Sequence, residues 1–335
     1  MLRPARVRST LTAMLLGALL SGCVPTGDHD ATYFVFGTEV RVSVRDVTEE
    51  HAASAFRLLG PRFQRMHREW HPWEPGALSE LNDALRRGGR GVTTPDLAEL
   101  VTTSMELESE SMGRFNPAIG ELVRLWGFHT SDYPLTEPPP SADAIADALA
   151  WQPSMRSLAV DGRSVRSLKR GVRLDFSGIA KGLAVKRACE LLASVEITDA
   201  LIDAGGDVMV CGATERPWRV GLRNPSGGVL TTLEIREPVA VFTSGNYYRY
   251  GEFDGERYAH ILDPFTGRPV DEVMQATVIH PDPLRADAGA TALVVAGPGA
   301  WRMVADSMSL ERALVVDAQG RVQATPAITA EADSP

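Results

Sequence analysis

Cysteine is scarce in this sequence, basic residues form no stripe, and no apolar run is long enough to cross a membrane as a helix. Three cysteines in 335 residues provide no disulfide framework of the kind that staples small secreted domains. The formal net charge of −9 argues against nucleic acid as a partner. The composition is otherwise that of an ordinary globular protein, 44% apolar and 23% charged. The chain is long enough for one large domain or two moderate ones.

Residues 1–22 have the pattern of a secretory signal peptide. Three arginines precede an apolar stretch, 11–20, that is too short for a membrane span. The stretch runs into Leu20-Ser21-Gly22-Cys23, which resembles the lipobox of bacterial lipoproteins. This resemblance implies cleavage before Cys23 and lipid attachment to its thiol. An ordinary signal peptide with a chance cysteine is the weaker alternative, because small residues directly precede the cysteine.

The leader therefore predicts a lipoprotein that is anchored to a membrane and faces the periplasm, with a short tether over 23–31. Cys189 and Cys211 remain after it, the first in a predicted helix and the second at the end of a predicted strand. A disulfide between them is possible in an oxidising compartment. Two buried free thiols are the expectation that we adopt from the sequence.

Apolar spacing predicts a mixed α+β fold. Residues 32–44 alternate as a strand, whereas 48–69 and 94–111 have helical spacing. Short strands dominate from residue 200 onward, and strands and helices do not alternate strictly, so we expect mixed sheets with packed helices rather than a doubly wound sheet. We predict a domain over 32–324 and a flexible tail over 325–335.

One stretch has the pattern of a strand, a glycine turn and a helix. Val172–Asp175 reads as a short strand, Ser177-Gly178 breaks it, and Lys181 lies in the first turn of the following helix. Such a junction points backbone N–H groups and the positive helix end into one small space, which favours an anion, typically phosphate. The alternative is a helix start whose glycine allows close packing.

Each of four other motifs has both a functional and a structural interpretation. The loop 70–76 holds two tryptophans that either pin it to the core or stack on a flat ligand. The paired glycines of 203–207 either form a tight hairpin or allow a close approach of the backbone. His260 is either a proton shuttle or a structural histidine. Asp287 and Thr291 share a helix face, and they offer either two oxygen ligands for Mg²⁺ or an acid at a helix start.

Taken in order, these motifs resemble the ApbE family, the FAD:protein FMN transferases, over residues 32–320. The resemblance implies a T-fold-like arrangement. It also implies Mg²⁺-dependent transfer of FMN from FAD to a threonine or serine hydroxyl of a redox protein, with release of AMP. The segments that carry it are Phe36-Gly37-Thr38, the tryptophan loop, 115–128, 174–182, 204–207, 243–246, 260–270, and Asp287 with Thr291.

The resemblance also implies roles for individual residues. The metal ligands would be the side chains of Asp287 and Thr291 and the carbonyl of Gly178. Acid–base work or phosphate positioning would fall to His260, with Lys181 and Asp175 beside it. FAD would contact Phe36, Trp73, Arg114, Phe115, Asn116, Asp175, Lys181 and Leu262.

The sequence departs from the usual family pattern at three places. The Gly-Thr motif is preceded by Phe36 rather than methionine, Asn246 replaces the usual aspartate, and the Trp73 loop is one residue shorter. Two rival functions stay open on the sequence. A metal-dependent FAD pyrophosphatase would release FMN and AMP without labelling a protein, and a flavin-binding lipoprotein would release no AMP.

Overall fold

The computed structural model describes residues 25–247 and 249–328. The predicted signal peptide and Cys23 lie outside the described residues. Within the described part, no helix combines the length and the apolar character that a membrane span requires.

In chain order, the strands are β1 (Gly27–Val35), β2 (Thr38–Val47), β3 (Arg90–Val92), β4 (Leu158–Asp161), β5 (Ser164–Ser167), β6 (Ala200–Ala204), β7 (Asp207–Val210), β8 (Trp218–Arg223), β9 (Val229–Ile235), β10 (Val239–Gly245), β11 (Tyr250–Phe253), β12 (Glu256–Ala259), β13 (Val273–His280), β14 (Arg312–Asp317) and β15 (Val322–Ala324). The α-helices are α1 (Glu49–Trp70), α2 (Ala77–Arg86), α3 (Pro95–Glu110), α4 (Gly120–Leu125), α5 (Ala142–Ala150), α6 (Ala180–Ser194) and α7 (Pro283–Ser307).

A central eight-stranded sheet organises the chain, in the order β1-β2-β6-β7-β10-β13-β14-β15. Every neighbouring pair in it is antiparallel. Helices α1, α6 and α7 pack on one face and enclose the main core. The β8–β9 hairpin covers apolar residues of the other face. The α+β fold predicted from the sequence is therefore confirmed.

Three predicted boundaries are wrong. Strand β1 begins at Gly27, so the tether predicted over 23–31 overlaps the sheet. The tail predicted over 325–335 is structured at its start, because Thr325 pairs with Ala313 and Ile328 is buried in the second core. The predicted strand at 172–175 is reduced to one bridge between Arg173 and Ile119.

The expectation of two free thiols is also wrong. Cys189 in α6 and Cys211, directly after β7, form a disulfide with their Cα atoms 5.2 Å apart. Helix α6 lies against β6 and β7, which brings the two side chains together. The disulfide therefore ties the helix that begins at Ala180 to the strand that begins at Asp207.

Candidate active site

An ion pair joins the first turn of α6 to the start of β7. The ammonium of Lys181 pairs with one carboxylate oxygen of Asp207, and the other oxygen accepts the N–H of Thr243 at 2.8 Å. Burial lowers the pKa of Lys181, but the carboxylates of Asp207 and Asp287 outweigh burial and raise it above its ordinary value. Lys181 is therefore a protonated cation whose charge is already matched inside the protein.

The paired glycines make the turn that places Asp207. Gly205 and Gly206 have φ of 71° and 99°, which favours glycine. A side chain on Gly205 would also meet the hydroxyl of Thr38 at 2.2 Å. The tight-hairpin interpretation of 203–207 is confirmed, and the last aspartate of the segment reaches Lys181.

The predicted anion site at the start of α6 is filled by the protein itself. One oxygen of Asp287 accepts the N–H of Gly182 at 2.9 Å. A Cβ on Gly182 would lie 2.4 Å from the carbonyl of Pro283, so this glycine lets α6 and α7 touch, as the alternative interpretation required. The prediction of a phosphate at this helix start needs correction, because a carboxylate from α7 occupies the position.

Gly178 and Thr291, the other two residues predicted to hold a metal, lie next to each other, and Thr291 is on the same helix as Asp287. A Cβ on Gly178 would lie 3.2 Å from the Thr291 hydroxyl, and that hydroxyl is 3.0 Å from the hydroxyl of Ser244. Burial raises the pKa of Asp287 to about 7, although the nearby ammonium of Lys181 lowers it. Burial is therefore the main influence on the pKa of this carboxyl.

This donor set fits a hard cation. Across 25–247 and 249–328, no group of three or more His, Cys, Asp or Glu side chains is arranged to hold a metal. The predicted set includes only one such side chain, Asp287, together with a hydroxyl and a backbone carbonyl. Oxygen ligands of this kind suit Mg²⁺, which keeps several waters and takes phosphate oxygens as further ligands.

Asp175 lies on a different side of the Ser177-Gly178 turn and is linked to Trp73 through a histidine. One Asp175 oxygen accepts the N–H of Ser177 at 2.9 Å, and the other lies 3.7 Å from Nε2 of His129. The His129 ring stacks on Trp73 at 5.0 Å between centroids and 22° between planes. Burial raises the pKa of Asp175, but hydrogen bonding from His129 and Ser177 outweighs it and lowers the pKa overall.

An aromatic run continues from Trp73 to Phe36. His71 lies against Trp73 at 4.4 Å, His67 against His71 at 5.3 Å, and Phe36 against His67 at 5.9 Å. Phe36 also stacks on Trp70, at 6.2 Å. Trp70 is buried and Trp73 is half-buried, so the loop is pinned to the core at one tryptophan and leaves the other partly accessible.

In the turn 114–116, Phe115 and Asn116 have structural contacts within the protein. Phe115 is buried and packs against the position that a Cβ of Gly178 would take, at 3.5 Å. The Asn116 side chain donates to the carbonyl of Pro153 and accepts the N–H of Ala118, both at 2.9 Å. Arg114 is half-buried. Among the three residues of this turn that were predicted to contact FAD, it alone carries a charged group that could bind a ligand.

His260 follows β12 and is held through one ring nitrogen. Its Nδ1 lies 3.1 Å from the carbonyl of Arg249, so Nδ1 carries the hydrogen and Nε2 carries the lone pair in the neutral ring. Burial, followed by the charge of Arg249, lowers the pKa of His260 to about 4. Leu262, two residues on, is buried in a small cluster with Trp126 and therefore packs rather than exposes its side chain.

Asn246 shows why an amide suits this position. Its side-chain N–H₂ donates to the carbonyls of Val270 and Val273, each at 2.8 Å. A carboxylate has no hydrogens to donate there, so an aspartate at this position could not make these two hydrogen bonds.

Sequence reasoning missed four contributors to this region, namely the ionic role of Asp207 and the positions of His129, Ser244 and Arg249. Asp207 and Ser244 lie in motifs that the sequence singled out, at strand ends next to glycines. His129 and Arg249 lie in loop segments that have no periodic pattern. Their neighbours can therefore be identified only from the folded structure.

The sequence pattern of the ApbE family matches residues 36–314. A Rhodobacter capsulatus protein named FAD:protein FMN transferase is 39% identical over 99% of this chain and 64% of its own length. A Klebsiella pneumoniae protein of the same name is 29% identical over 91% of both chains. The chain thus spans just under two thirds of the Rhodobacter relative.

Solved structures agree with this assignment. The crystal structure of an ApbE protein from Thermotoga maritima superposes with a TM-score of 0.82 at 28% identity, over 90% of this chain and 98% of that one. The apo flavinyl transferase ApbE of Pseudomonas stutzeri gives a TM-score of 0.78 at 26% identity, over 91% and 96%. On its sequence and its fold, this chain belongs to the ApbE family.

Proposed function

We propose that this ApbE-family enzyme transfers FMN from FAD to a threonine or serine hydroxyl of a target redox protein and releases AMP. The observation that carries the proposal is the convergence of Gly178, Asp287 and Thr291 beside the Lys181–Asp207 pair. A diphosphate needs concentrated positive charge while its bridging bond breaks. The names of the relatives support the same activity.

Asp287, Thr291 and the carbonyl of Gly178 would hold Mg²⁺, which supplies positive charge to the diphosphate when bound. The chain prepares this position in advance. The Gly182 N–H fixes the Asp287 carboxylate, and the hydroxyl of Ser244 orients that of Thr291. Lys181 limits the repulsion between Asp207 and Asp287 by lying close to both.

In the proposed reaction, the acceptor hydroxyl oxygen forms a bond to the FMN-side phosphorus of FAD. The bond from that phosphorus to the bridging oxygen breaks, and AMP leaves with the bridging oxygen. The hydroxyl proton needs an acceptor. The neutral His260 ring offers Nε2, because its Nδ1–H is held by the Arg249 carbonyl. The negative diphosphate would raise the low pKa of His260 and strengthen it as a base.

Trp73 is the proposed stacking surface for a flat ring of FAD. It is half-buried, and His129 supports the face opposite to any ligand. His129 also contacts Asp175, so the ring-binding wall and the Asp175 carboxylate are positioned by one side chain.

The protein is further proposed to be a lipoprotein anchored through Cys23 and facing the periplasm. The leader pattern supports this location. The Cys189–Cys211 disulfide supports it independently, since disulfides persist in oxidising compartments.

The test incubates the full-length protein with FAD, Mg²⁺ and a candidate periplasmic redox protein. Transfer predicts flavin fluorescence that stays on the redox protein in a denaturing gel, with AMP in the same tube. AMP together with free FMN, with no acceptor labelled across a panel of such proteins, would instead support a pyrophosphatase. Bound FAD with no AMP would support a binding protein.

A further inference from the structure

The catalytic region has little free positive charge for its substrate. Lys181 is paired with Asp207, and the start of α6 is taken by Asp287. Asp175 adds a third buried carboxyl. The diphosphate of FAD brings two more negative charges, and buried charges of one sign are costly unless they are matched. A bound divalent cation offsets only part of this excess.

Arg249 lies where a further cation is needed. Its carbonyl accepts from His260 Nδ1 at 3.1 Å. One terminal nitrogen of its guanidinium is 3.4 Å from the position that a Cβ on Gly37 would take, and the guanidinium carbon is 6.0 Å from the Tyr133 ring. The side chain therefore lies between the Phe36-Gly37 turn and the Tyr133 ring, while the backbone of the same residue contacts His260.

The guanidinium of Arg249 is available to a ligand. The residue is exposed, and within 25–247 and 249–328 no carboxylate lies at ion-pair distance from it. By contrast, other arginines of the chain are committed, such as Arg187 to Asp96 and Glu99. The charge of Arg249 reaches the site, because it lowers the pKa of His260 and opposes the raised pKa of Lys181.

We propose that Arg249 is a phosphate-binding residue of this enzyme, whose guanidinium holds non-bridging oxygens on the FMN-side phosphate of FAD. The inference rests on the proposed function. A guanidinium binds phosphate through two parallel hydrogen bonds, which a lysine cannot reproduce. Because its carbonyl holds His260, one residue places both the phosphate and the proposed proton acceptor, and it thereby fixes their separation.

The test compares FAD with riboflavin, which has the flavin ring but no phosphate. Binding to the full-length protein is measured by quenching of flavin fluorescence in the presence of Mg²⁺, for the wild type, Arg249→Gln, Arg249→Lys and Arg219→Gln. Arg219 is an exposed arginine on β8 that pairs with Glu234 at 3.8 Å, so Arg219→Gln is the matched control.

We expect Arg249→Gln to raise the Kd for FAD by about tenfold or more and to leave the Kd for riboflavin unchanged. Arg249→Lys should fall between Arg249→Gln and the wild type, and Arg219→Gln should match the wild type. The inference is overturned if Arg249→Gln binds FAD as the wild type does, or if FAD and riboflavin weaken equally.

Failure of the Arg249 role and failure of the proposed function give different results. A wild-type protein that transfers flavin while Arg249→Gln retains both FAD affinity and transfer rate would overturn only the role of Arg249. A wild-type protein that binds no FAD would overturn the proposed function, and the role of Arg249 with it. Unchanged thermal melting of Arg249→Gln would show that any weakened binding does not come from misfolding.

Discussion

Asp287 on α7 accepts the backbone N–H of Gly182 on α6 at 2.9 Å, so one helix places a carboxylate on the start of the other. This contact bears on how the proposed site would bind phosphate. A helix start usually offers its N–H groups to an anion, but here the protein's own acid takes them. In the proposed mechanism, the substrate is therefore held by a cation on Asp287 and by side chains around it.

Replacing Asp287 with asparagine should separate folding from turnover. The amide oxygen can still accept the Gly182 N–H, whereas the negative charge is lost. We expect Mg²⁺-dependent AMP release to fall by about 100-fold or more. We also expect Mg²⁺ to raise the melting temperature of the wild type but not that of the variant. Asp282→Asn is the control, because Asp282 caps the same helix by accepting the Leu284 N–H. Turnover retained by Asp287→Asn would refute the metal assignment.

Removing Asp207 should leave Lys181 without its main partner. Asp207 is buried and Lys181 is partly exposed, at 4% and 29% of the side chain, so solvent screens part of the cost. We expect Asp207→Asn to lower the free energy of unfolding by about 1–3 kcal/mol, measured by urea denaturation. Asp83→Asn removes an exposed pair with Arg86 and should have little effect. Equal losses for both variants would contradict the buried role of the Lys181–Asp207 pair.

The pKa of His260 predicts a pH dependence of stability. The folded state holds this pKa at about 4, below the ordinary value of about 6.5. Between those values the unfolded chain binds a proton that the folded chain does not, so the wild type loses stability as the pH falls from 6.5 to 4. His260→Gln should lack this loss, which we expect to be about 1–2 kcal/mol after allowing for partial exposure.

Urea denaturation of the wild type and His260→Gln at pH 7 and pH 4.5 measures the difference directly. The gap between the two proteins should shift in favour of the variant at the lower pH. His29→Gln, on the outermost strand β1, is the control. A gap that is constant with pH would contradict a half-buried His260 that stays neutral down to about pH 4.

Trp73 should matter for FAD in a way that an ordinary exposed tryptophan does not. Trp73→Ala removes the proposed stacking surface, and we expect the Kd for FAD to rise about tenfold. Trp151→Ala is the control, since Trp151 is 51% exposed at the end of α5. His129→Ala should give a smaller increase, because it removes only the support behind Trp73. Equal Kd values for FAD in Trp73→Ala and Trp151→Ala would contradict the stacking role of Trp73.

The disulfide should stabilise the region that it joins. Cys189 and Cys211 are separated by 22 positions, and closing a loop of that length contributes about 3 kcal/mol. Reducing agent, or the pair of substitutions Cys189→Ser and Cys211→Ser, should lower the urea midpoint correspondingly. A midpoint that is insensitive to reducing agent in the wild type would show that the two thiols are not linked in solution.

Much of the fold was predictable because periodicity reports burial directly. Helices α1 and α3 were predicted near their observed bounds, since each buries one clear apolar face. Strand β13 was missed although it is central, because the prediction looked for alternation and both of its faces are buried. The segment at 172–175 has strand composition but finds only one bridging partner.

The sequence was better at singling out candidate site residues than at predicting the contacts that these residues make. The motifs singled out Gly178, Asp287 and Thr291, because a turn and an i, i+4 pair are local features, and the structure places Gly178 next to Thr291. The occupation of the α6 start by Asp287 could not be predicted, since it depends on how closely α6 and α7 approach at Gly182. The same holds for the disulfide and for Arg249, whose neighbours are distant in sequence.

The most direct measurement of the central claim follows the FMN-side phosphorus itself. FAD carrying a radioactive label at that phosphorus is incubated with the protein, Mg²⁺ and the acceptor, and the products are separated. Our account predicts that the label becomes covalently attached to the acceptor, in a one-to-one ratio with unlabelled AMP. Label recovered in free FMN, or in a fragment that leaves with the adenosine, would contradict it.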